Sequence, residues 1–294
     1  MKNRPIKTLP TILSIAGSDP SAGAGLQADL KTIHALGGYA LTVPTAITAQ
    51  NSLGVVAVYP LAPEIVRIQL ETLFADYQIQ AIKIGMLANL AILKVVIKCL
   101  QQHPEIPVVL DPVLISSSGR PLLETEALPL FITQLLPLAT LVTPNIPEIN
   151  ALIQSAAPSK PYHSFSGEAV EVSVMAQSLF ALGVQNVVIK GGHSLEPEAV
   201  DYLVMPNDKS PNHPIIQTYS STRLVTSNTH GTGCTYSSAI ATELAKGKTL
   251  AQAVKVAKEY LFKALENAQI AQPKQLEEEL TVEQERKGVL NHFA

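Results

Sequence analysis

Tryptophan is absent from the 294 residues, cysteine occurs twice, and charged residues make up only 15% of the chain. Each shortage excludes a class of protein. Cys99 and Cys234 are too few for a disulfide framework, and no CxxC pair or His/Cys cluster marks a zinc site, so a reducing cytoplasm is the expected compartment. Lysine and arginine number 21 against 24 acidic residues, a net charge of −3, which leaves no basic excess for nucleic acid to neutralise. Long hydrophobic runs are missing too. The stretch Leu128 to Val142 is interrupted by Gln134 and Pro137 and falls short of a membrane span. Thr11 to Gly17, after Lys2, Arg4 and Lys7, ends at Asp19-Pro20 and is too short for a signal peptide, so neither a membrane nor a secretory route is expected.

Hydrophobic residues, by contrast, are 47% of the chain, enough for a large core. Short apolar runs, Thr11 to Ala16, Ala40 to Ala46, Ala81 to Ile84, Val108 to Leu110, Leu141 to Thr143 and Asn186 to Ile189, alternate with helical patterns. Helices are predicted over Gly25 to Leu36, Pro63 to Phe74, Leu90 to Gln101, Thr125 to Leu135, Ile146 to Ile153, Val170 to Leu182, Thr235 to Ala245 and Leu250 to Ala268. Runs such as Val187-Val188-Ile189 are apolar on both faces, as strands covered by helices on both sides are, so the fold class is α/β with a mostly parallel central sheet. Val200 to Val225 is expected to add antiparallel edge strands. One domain over residues 1–294 is expected, with a core at about 11–268 and a charged C-terminal extension at about 271–294. Glu277, Glu278, Glu279, Glu283 and Glu285 have few apolar neighbours there, which reads as a solvated helix or loose tail.

Chemistry concentrates in a few segments. Asn228-Thr229-His230-Gly231-Thr232-Gly233-Cys234 leads into a helix, so amides around Gly231, Thr232 and Gly233 are candidate anion donors, and a thiol follows them directly. The same spacing also suits a plain turn before a core helix. At the front, Gly17-Ser18-Asp19-Pro20-Ser21-Ala22-Gly23-Ala24-Gly25 joins a strand to a helix. Gly23 to Ala28 satisfies G-x-G-x-x-[GA], but Ser18 to Ala22 intervene after the strand and no acidic residue ends the second one, so a dinucleotide site is not expected. Gly247-Lys248-Thr249 resembles the end of a Walker A loop without its leading glycine, since position 242 is threonine. Asp111 ends a buried strand, where open α/β sheets form clefts, or serves as a turn residue. Asn145 and Glu148 have the spacing of a capping box. Lys190 is either a strand-edge lysine or a charge that reaches phosphates, and Gln50 sits on a predicted polar loop.

The stretches AGSDPSAGAGLQAD and NTHGTGC, joined in order by Thr48 to Ser52, Lys83 to Leu87, Leu110 to Val113, Thr143 to Glu148 and Lys190 to His193, resemble the ribokinase-like superfamily. Within it they are similar to the hydroxymethylpyrimidine/phosphomethylpyrimidine kinases of thiamin biosynthesis, over roughly residues 11 to 268. The resemblance implies a ribokinase-like three-layer sandwich and an ATP-dependent, magnesium-using kinase. Its substrates would be 4-amino-5-hydroxymethyl-2-methylpyrimidine and the monophosphate of that alcohol. It implies that Gln50 reads the pyrimidine edge within walls of Gly17, Ala24, Met86 and Val113. Asn145, Glu148, Lys190, His230 and Thr232 would attend the nucleotide, with Asp111 and Glu148 organising Mg²⁺. Gly231 and Gly233 would form the anion hole, and Cys234, where many sugar kinases of the superfamily carry aspartate, would accept the proton of the substrate hydroxyl on a sulfur whose pKa the helix N-terminus lowers. A homodimer is expected. Pyridoxal kinase on the same scaffold, or a vitamer-binding regulator without turnover, stay open as alternatives.

Overall fold

A computed structural model of the protein describes residues 8–116, 119–157, 164–166, 168–191, 198–207, 209–210, 212–226, 228–269 and 288–294. The acidic stretch at 271–287, with Gly192 and His193, lies outside the described residues. Nine strands form one sheet: β1 (Thr11–Ser18), β2 (Tyr39–Asn51), β3 (Gly54–Pro60), β4 (Ala81–Ile84), β5 (Val108–Leu110), β6 (Leu141–Val142), β7 (Val187–Ile189), β8 (Glu198–Met205) and β9 (Ile215–Thr222). Their spatial order is β3-β2-β1-β4-β5-β6-β7-β8-β9. The six strands from β2 to β7 in that order pair in parallel, and β3, β8 and β9 are antiparallel additions at the edges.

The helices are α1 (Gly25–Ala35), α2 (Pro63–Asp76), α3 (Leu90–Gln102), α4 (Leu128–Leu130), α5 (Ile146–Ala156), α6 (Val172–Phe180), α7 (Thr232–Ala245) and α8 (Leu250–Glu266). Side chains alternate across the strands, which makes three layers. Leu13, Ile15, Ile82, Ile84, Leu110 and Val187 pack with residues of α2, α3, α5 and α6. Ile12, Ala81, Val109, Leu141 and Val188 pack on the opposite face with Ile33 of α1, Tyr236 and Ile240 of α7 and Val254 of α8.

Three predictions are corrected. Thr125 to Leu135 is not one α-helix: a 3₁₀ turn at Thr125–Ala127 precedes α4, and a π turn at Phe131–Leu135 runs into another 3₁₀ turn at Leu136–Leu138. Pro129 and Pro137 each remove an amide that a continuous ladder needs. Second, α7 starts at Thr232 rather than Thr235, with Gly231 as its N-cap at φ 82°. Third, β2 runs on to Asn51, so Gln50 is a strand residue of a hairpin and not part of a loop. Pro44 does not break the strand, because β3 pairs only from Ala46 onward, and before that point β2 has a single neighbour. Asn51 closes the hairpin by accepting the Leu53 and Gly54 amides on Oδ1 at 2.9 and 3.3 Å.

Candidate active site

After β1 the chain runs outward to β2, and it then returns to place β4 on the other flank of β1. That reversal leaves a crevice at the carboxyl ends of the central strands, where α/β sheets bind ligands. A cleft of about 780 Å³ opens there. Gly17, Ala24, Gln50, Met86 and Val113 line it, as do Asp111, Asn145, Glu148, Lys190, His230, Gly231, Thr232, Gly233 and Cys234. Every candidate site residue named from the sequence therefore faces one cavity.

Two loops meet backbone to backbone at its floor. Asp19 shapes the first, accepting the Ser21 and Ala24 amides at 2.9 and 2.8 Å, while its own amide donates to Gln27 Oε1 at 2.9 Å. Gly25 follows at φ 58°, with a hypothetical Cβ only 2.4 Å from the Gly17 carbonyl oxygen. Gly231, at φ 82°, presses on the other loop so closely that a Cβ would lie 1.8 Å from the Gly23 oxygen. Both positions need glycine. Gly233 differs. It has no positive φ, and its missing Cβ leaves open the space 3.1 Å from Asp111 Oδ2 and 3.4 Å from Lys190 Nζ.

Asp111, at the end of β5, accepts from Lys190 Nζ at 2.9 Å and from the Thr143 hydroxyl at 3.3 Å, both on Oδ1. Lys190 lies just beyond β7, and its amide donates to the Pro144 carbonyl at 3.0 Å. Glu148 stands 3.8 Å from the same ammonium. The capping box is present as well: the Glu148 amide donates to Asn145 Oδ1 at 2.9 Å and the Asn145 amide to Glu148 Oε2 at 2.7 Å. Asn145 and Glu148 thus start α5 and line the cleft at once. Burial opposes the charge on Lys190, yet Asp111 and Glu148 keep its pKa above the ordinary lysine range. Burial pushes Glu148 up to about 7, with Lys190 pulling it down and Asp111 adding to the rise.

A family model described as phosphomethylpyrimidine kinase matches residues 19–277. The chain belongs to that family. It is 40% identical over 257 residues to a hydroxymethylpyrimidine/phosphomethylpyrimidine kinase of Haemophilus influenzae, covering 86% of this chain and 90% of the relative. It is 39% identical over 259 residues to a bifunctional thiamine biosynthesis protein of Geobacter sulfurreducens, covering 88% of this chain and 50% of that one. Among solved structures, pyridoxal kinase of Bacillus subtilis in complex with ADP superposes with a TM-score of 0.79 at 31% identity, covering 97% of this chain and 98% of the other. The ribokinase-like architecture expected from the sequence is therefore the observed one.

Against that family background two residues stand differently from expectation. His230, expected among the nucleotide contacts, turns its ring toward the opposite wall: Nε2 lies 3.0 Å from Asp19 Oδ2 and 3.2 Å from Gln50 Nε2. Cys234 is partly exposed, but its thiol is not acidified. Burial dominates and raises it to about 11, against the opposing pull of Lys83 and the Gly25 amide. Lys83 itself is fully buried on Asp29, 2.8 Å from both carboxylate oxygens, and Asp29 also accepts from Ser14 and Ser238 at 2.6 and 2.8 Å. Asp29 is thus a structural residue beneath the cleft. Sequence reasoning passed over Asp19 and Lys83. The Asp-Pro-Ser turn signal could have found Asp19, whereas nothing local marks Lys83, a lysine inside an apolar strand. Gly247, at φ 82°, turns the chain between α7 and α8, and Lys248 pairs there with Glu243, far from any nucleotide role. Among the described residues no helix is long and apolar enough to cross a membrane.

Proposed function

We propose that the chain transfers the γ-phosphoryl group of ATP to the hydroxymethyl oxygen of 4-amino-5-hydroxymethyl-2-methylpyrimidine, and then to the phosphate of that product, giving the diphosphate used for thiamin. One observation carries this reading. An apolar slot walled by Gly17, Met86 and Val113, with the Gln50 amide at its edge, opens onto the N-terminus of α7, where Asp111 and Lys190 converge on Gly233. A flat aminopyrimidine fits the slot, with its hydroxymethyl group turned toward the anion site. The Gly233 and Cys234 amides and the α7 dipole stabilise negative charge on the transferring group, and Lys190 adds a point charge. In its thiolate form Cys234 accepts the hydroxyl proton as the oxygen–phosphorus bond forms and the bond to ADP breaks. Thr232, on the first turn of α7, and Asn145 and Glu148, at the start of α5, flank the nucleotide phosphates.

Asp111 and Glu148 fit Mg²⁺. They are two carboxylates around one lysine, and Asp111 Oδ2 faces the gap that the missing side chain of Gly233 leaves. Magnesium takes one or two carboxylates and otherwise water and phosphate oxygens, and would neutralise charge on the polyphosphate. A homodimer belongs to the same proposal. Ile47, Leu53, Val56 and Tyr59 are 44%, 56%, 70% and 63% exposed on the β2–β3 hairpin at the open edge of the sheet.

Mass spectrometry of products from ATP with the pyrimidine alcohol, its monophosphate or pyridoxal tests the assignment. The alcohol should yield monophosphate and then diphosphate. Pyridoxal phosphorylated faster than the pyrimidine would overturn the substrate. Gln50→Ala should cost the pyrimidine about 1–3 kcal/mol in kcat/KM while sparing the KM for ATP.

A further inference from the structure

Along the edge of the slot the polar groups of Asp19, His230, Gln50 and Thr48 touch in sequence, and their donors and acceptors conflict at Gln50. Asp19 Oδ1 accepts from the Ser21 amide at 2.9 Å and the Ser21 hydroxyl at 2.7 Å. Oδ2 accepts from the Ala24 amide at 2.8 Å and faces His230 Nε2 at 3.0 Å. Burial alone would raise this carboxyl, but the hydrogen bonds from His230, Ser21 and Ala24 outweigh it and hold the pKa at about 2. An ionised carboxylate only accepts, so Nε2 carries a hydrogen and spends it on Asp19, whether the ring is neutral or cationic. Yet Gln50 Nε2, a donor, lies 3.2 Å from that same nitrogen. At the other end Thr48 Oγ1 lies 3.2 Å from Gln50 Oε1 and 2.9 Å from the Ser18 carbonyl, with one hydrogen for the two acceptors; spent on the shorter contact to Ser18, it leaves the Thr48 oxygen an acceptor toward Gln50. Two donors face each other at one end of the amide, and two acceptors at the other.

A half-turn of the carboxamide about its last torsion removes both conflicts. Its oxygen then shares the His230 hydrogen with Asp19, and its amino group donates to the free lone pair of Thr48. The two ends are nearly the same size, so the exchange needs no extra room. The His230 ring cannot swing away freely, because it packs on Gly23, where a Cβ would lie 2.5 Å from Cδ2.

We propose that His230 and Thr48 are specificity-determining positioning residues, which lock the Gln50 carboxamide with its oxygen toward His230 and its nitrogen toward Thr48. The lock rests on the reading of Gln50 as the partner of the pyrimidine edge and deepens it. A 4-amino ring presents an exocyclic donor beside a ring acceptor, whereas a 4-oxo ring presents an acceptor beside a ring donor. A carboxamide free to turn accepts both rings equally. A locked one accepts a single order, and the other ring, held in place by its hydroxymethyl group, meets donor with donor and acceptor with acceptor.

Two measurements on the full chain test the lock. In the free enzyme, long-range ¹H–¹⁵N NMR, with His230 assigned by difference from His230→Asn, should show a protonated Nε2; a bare Nε2 overturns the proposal. In kinetics, the ratio of kcat/KM for the 4-amino alcohol over its 4-oxo analogue should fall about tenfold or more in His230→Ala and in Thr48→Val. The KM for ATP should stay within about twofold, and Thr48→Ser should keep the wild-type ratio. A ratio unchanged in both His230→Ala and Thr48→Val overturns the lock, and so does an unchanged ratio accompanied by a raised KM for ATP. Gln50→Ala separates the two levels. If it abolishes the ratio while the other variants leave it intact, only the lock is wrong; if it too leaves the ratio intact, the reading of Gln50 falls.

Discussion

At Cys234 several influences on one thiol compete. The start of α7, the Lys83 ammonium and the Gly25 amide favour the thiolate, while burial, Asp29 and Asp111 oppose it, and burial is the largest. The outcome, about 11, leaves a neutral thiol near pH 7. Alkylation by iodoacetamide should therefore be slow at pH 7 and speed up about tenfold per pH unit toward pH 10, since the thiolate is the nucleophile. If the sulfur takes the substrate proton, kcat should climb over the same range and Cys234→Ala should lower it by about 10²–10⁴-fold, with Cys234→Asp restoring part of the loss. A flat wild-type pH profile together with an active Ala variant would make Cys234 a wall of the slot and nothing more. Glycine roles also separate at this scale: Gly25 and Gly231 serve backbone conformation, and Gly233 serves space for Asp111 and Lys190.

Among the elements, α7 depends on the last described residues of the chain. Gly288 donates to Asn228 Oδ1, at the head of the anion loop, with N···O 2.5 Å, and His292 Nε2 lies 3.1 Å from the Thr235 hydroxyl in the first turn of α7. Leu290 and His292 are buried, and the Tyr260 hydroxyl of α8 donates to the His292 carbonyl at 2.8 Å. The C-terminal residues thus brace both sides of the loop that holds Gly231 to Cys234. Burial, reinforced by the Lys31 charge, lowers the His292 pKa from 6.5 to about 4. The unfolded chain then binds a proton that the folded chain refuses, so stability is full above pH 6.5 and is lost as pH falls toward 4. The urea midpoint should drop across that window, and His292→Asn should flatten the drop. An equally steep fall in the variant would assign the acid sensitivity to another group.

For the whole molecule, the order of strands decides where the chemistry lies. β1, β4 and β5 are neighbours, and their carboxyl ends deliver Gly17, Met86 and Asp111 to one crevice. β7 adds Lys190, and the helical layer that holds α7 closes the site from one face. The hairpin of β2 and β3 projects Gln50 over the slot, and Arg120, in the loop after β5, ties its far strand down by donating to the Val56 carbonyl. If the exposed apolar face of this hairpin is a dimer contact, Val56→Lys with Tyr59→Lys should shift the sedimentation coefficient from dimer to monomer without loss of helical circular dichroism. A wild-type chain that sediments as a monomer at micromolar concentration would remove the dimer.

Local pattern was enough to determine the α/β class, the core strands and most helices, because a strand apolar on both faces can be buried in only one way. The candidate site residues were legible for a related reason. Gly231, Asp111, Asn145 and Lys190 sit at strand ends and helix starts, and those termini are written in short motifs. Tertiary structure decided what depends on neighbours distant in sequence. The β2–β3 hairpin escaped a reading that ended the strand at Ala46, because β2 runs on to Asn51 only by pairing with β3 from Ala46 onward. The buried Lys83 escaped for a similar reason, whereas the break in the helix at Pro129 follows from prolines that stand in the sequence itself. The direction of the Cys234 shift could not be read locally, because desolvation is set by everything packed around the sulfur, whereas the helix N-terminus beside it is visible in the motif. His230 belongs to the same class: its motif places the backbone at the anion loop, but its ring goes where Asp19 and Gln50, 211 and 180 residues away in sequence, supply its partners.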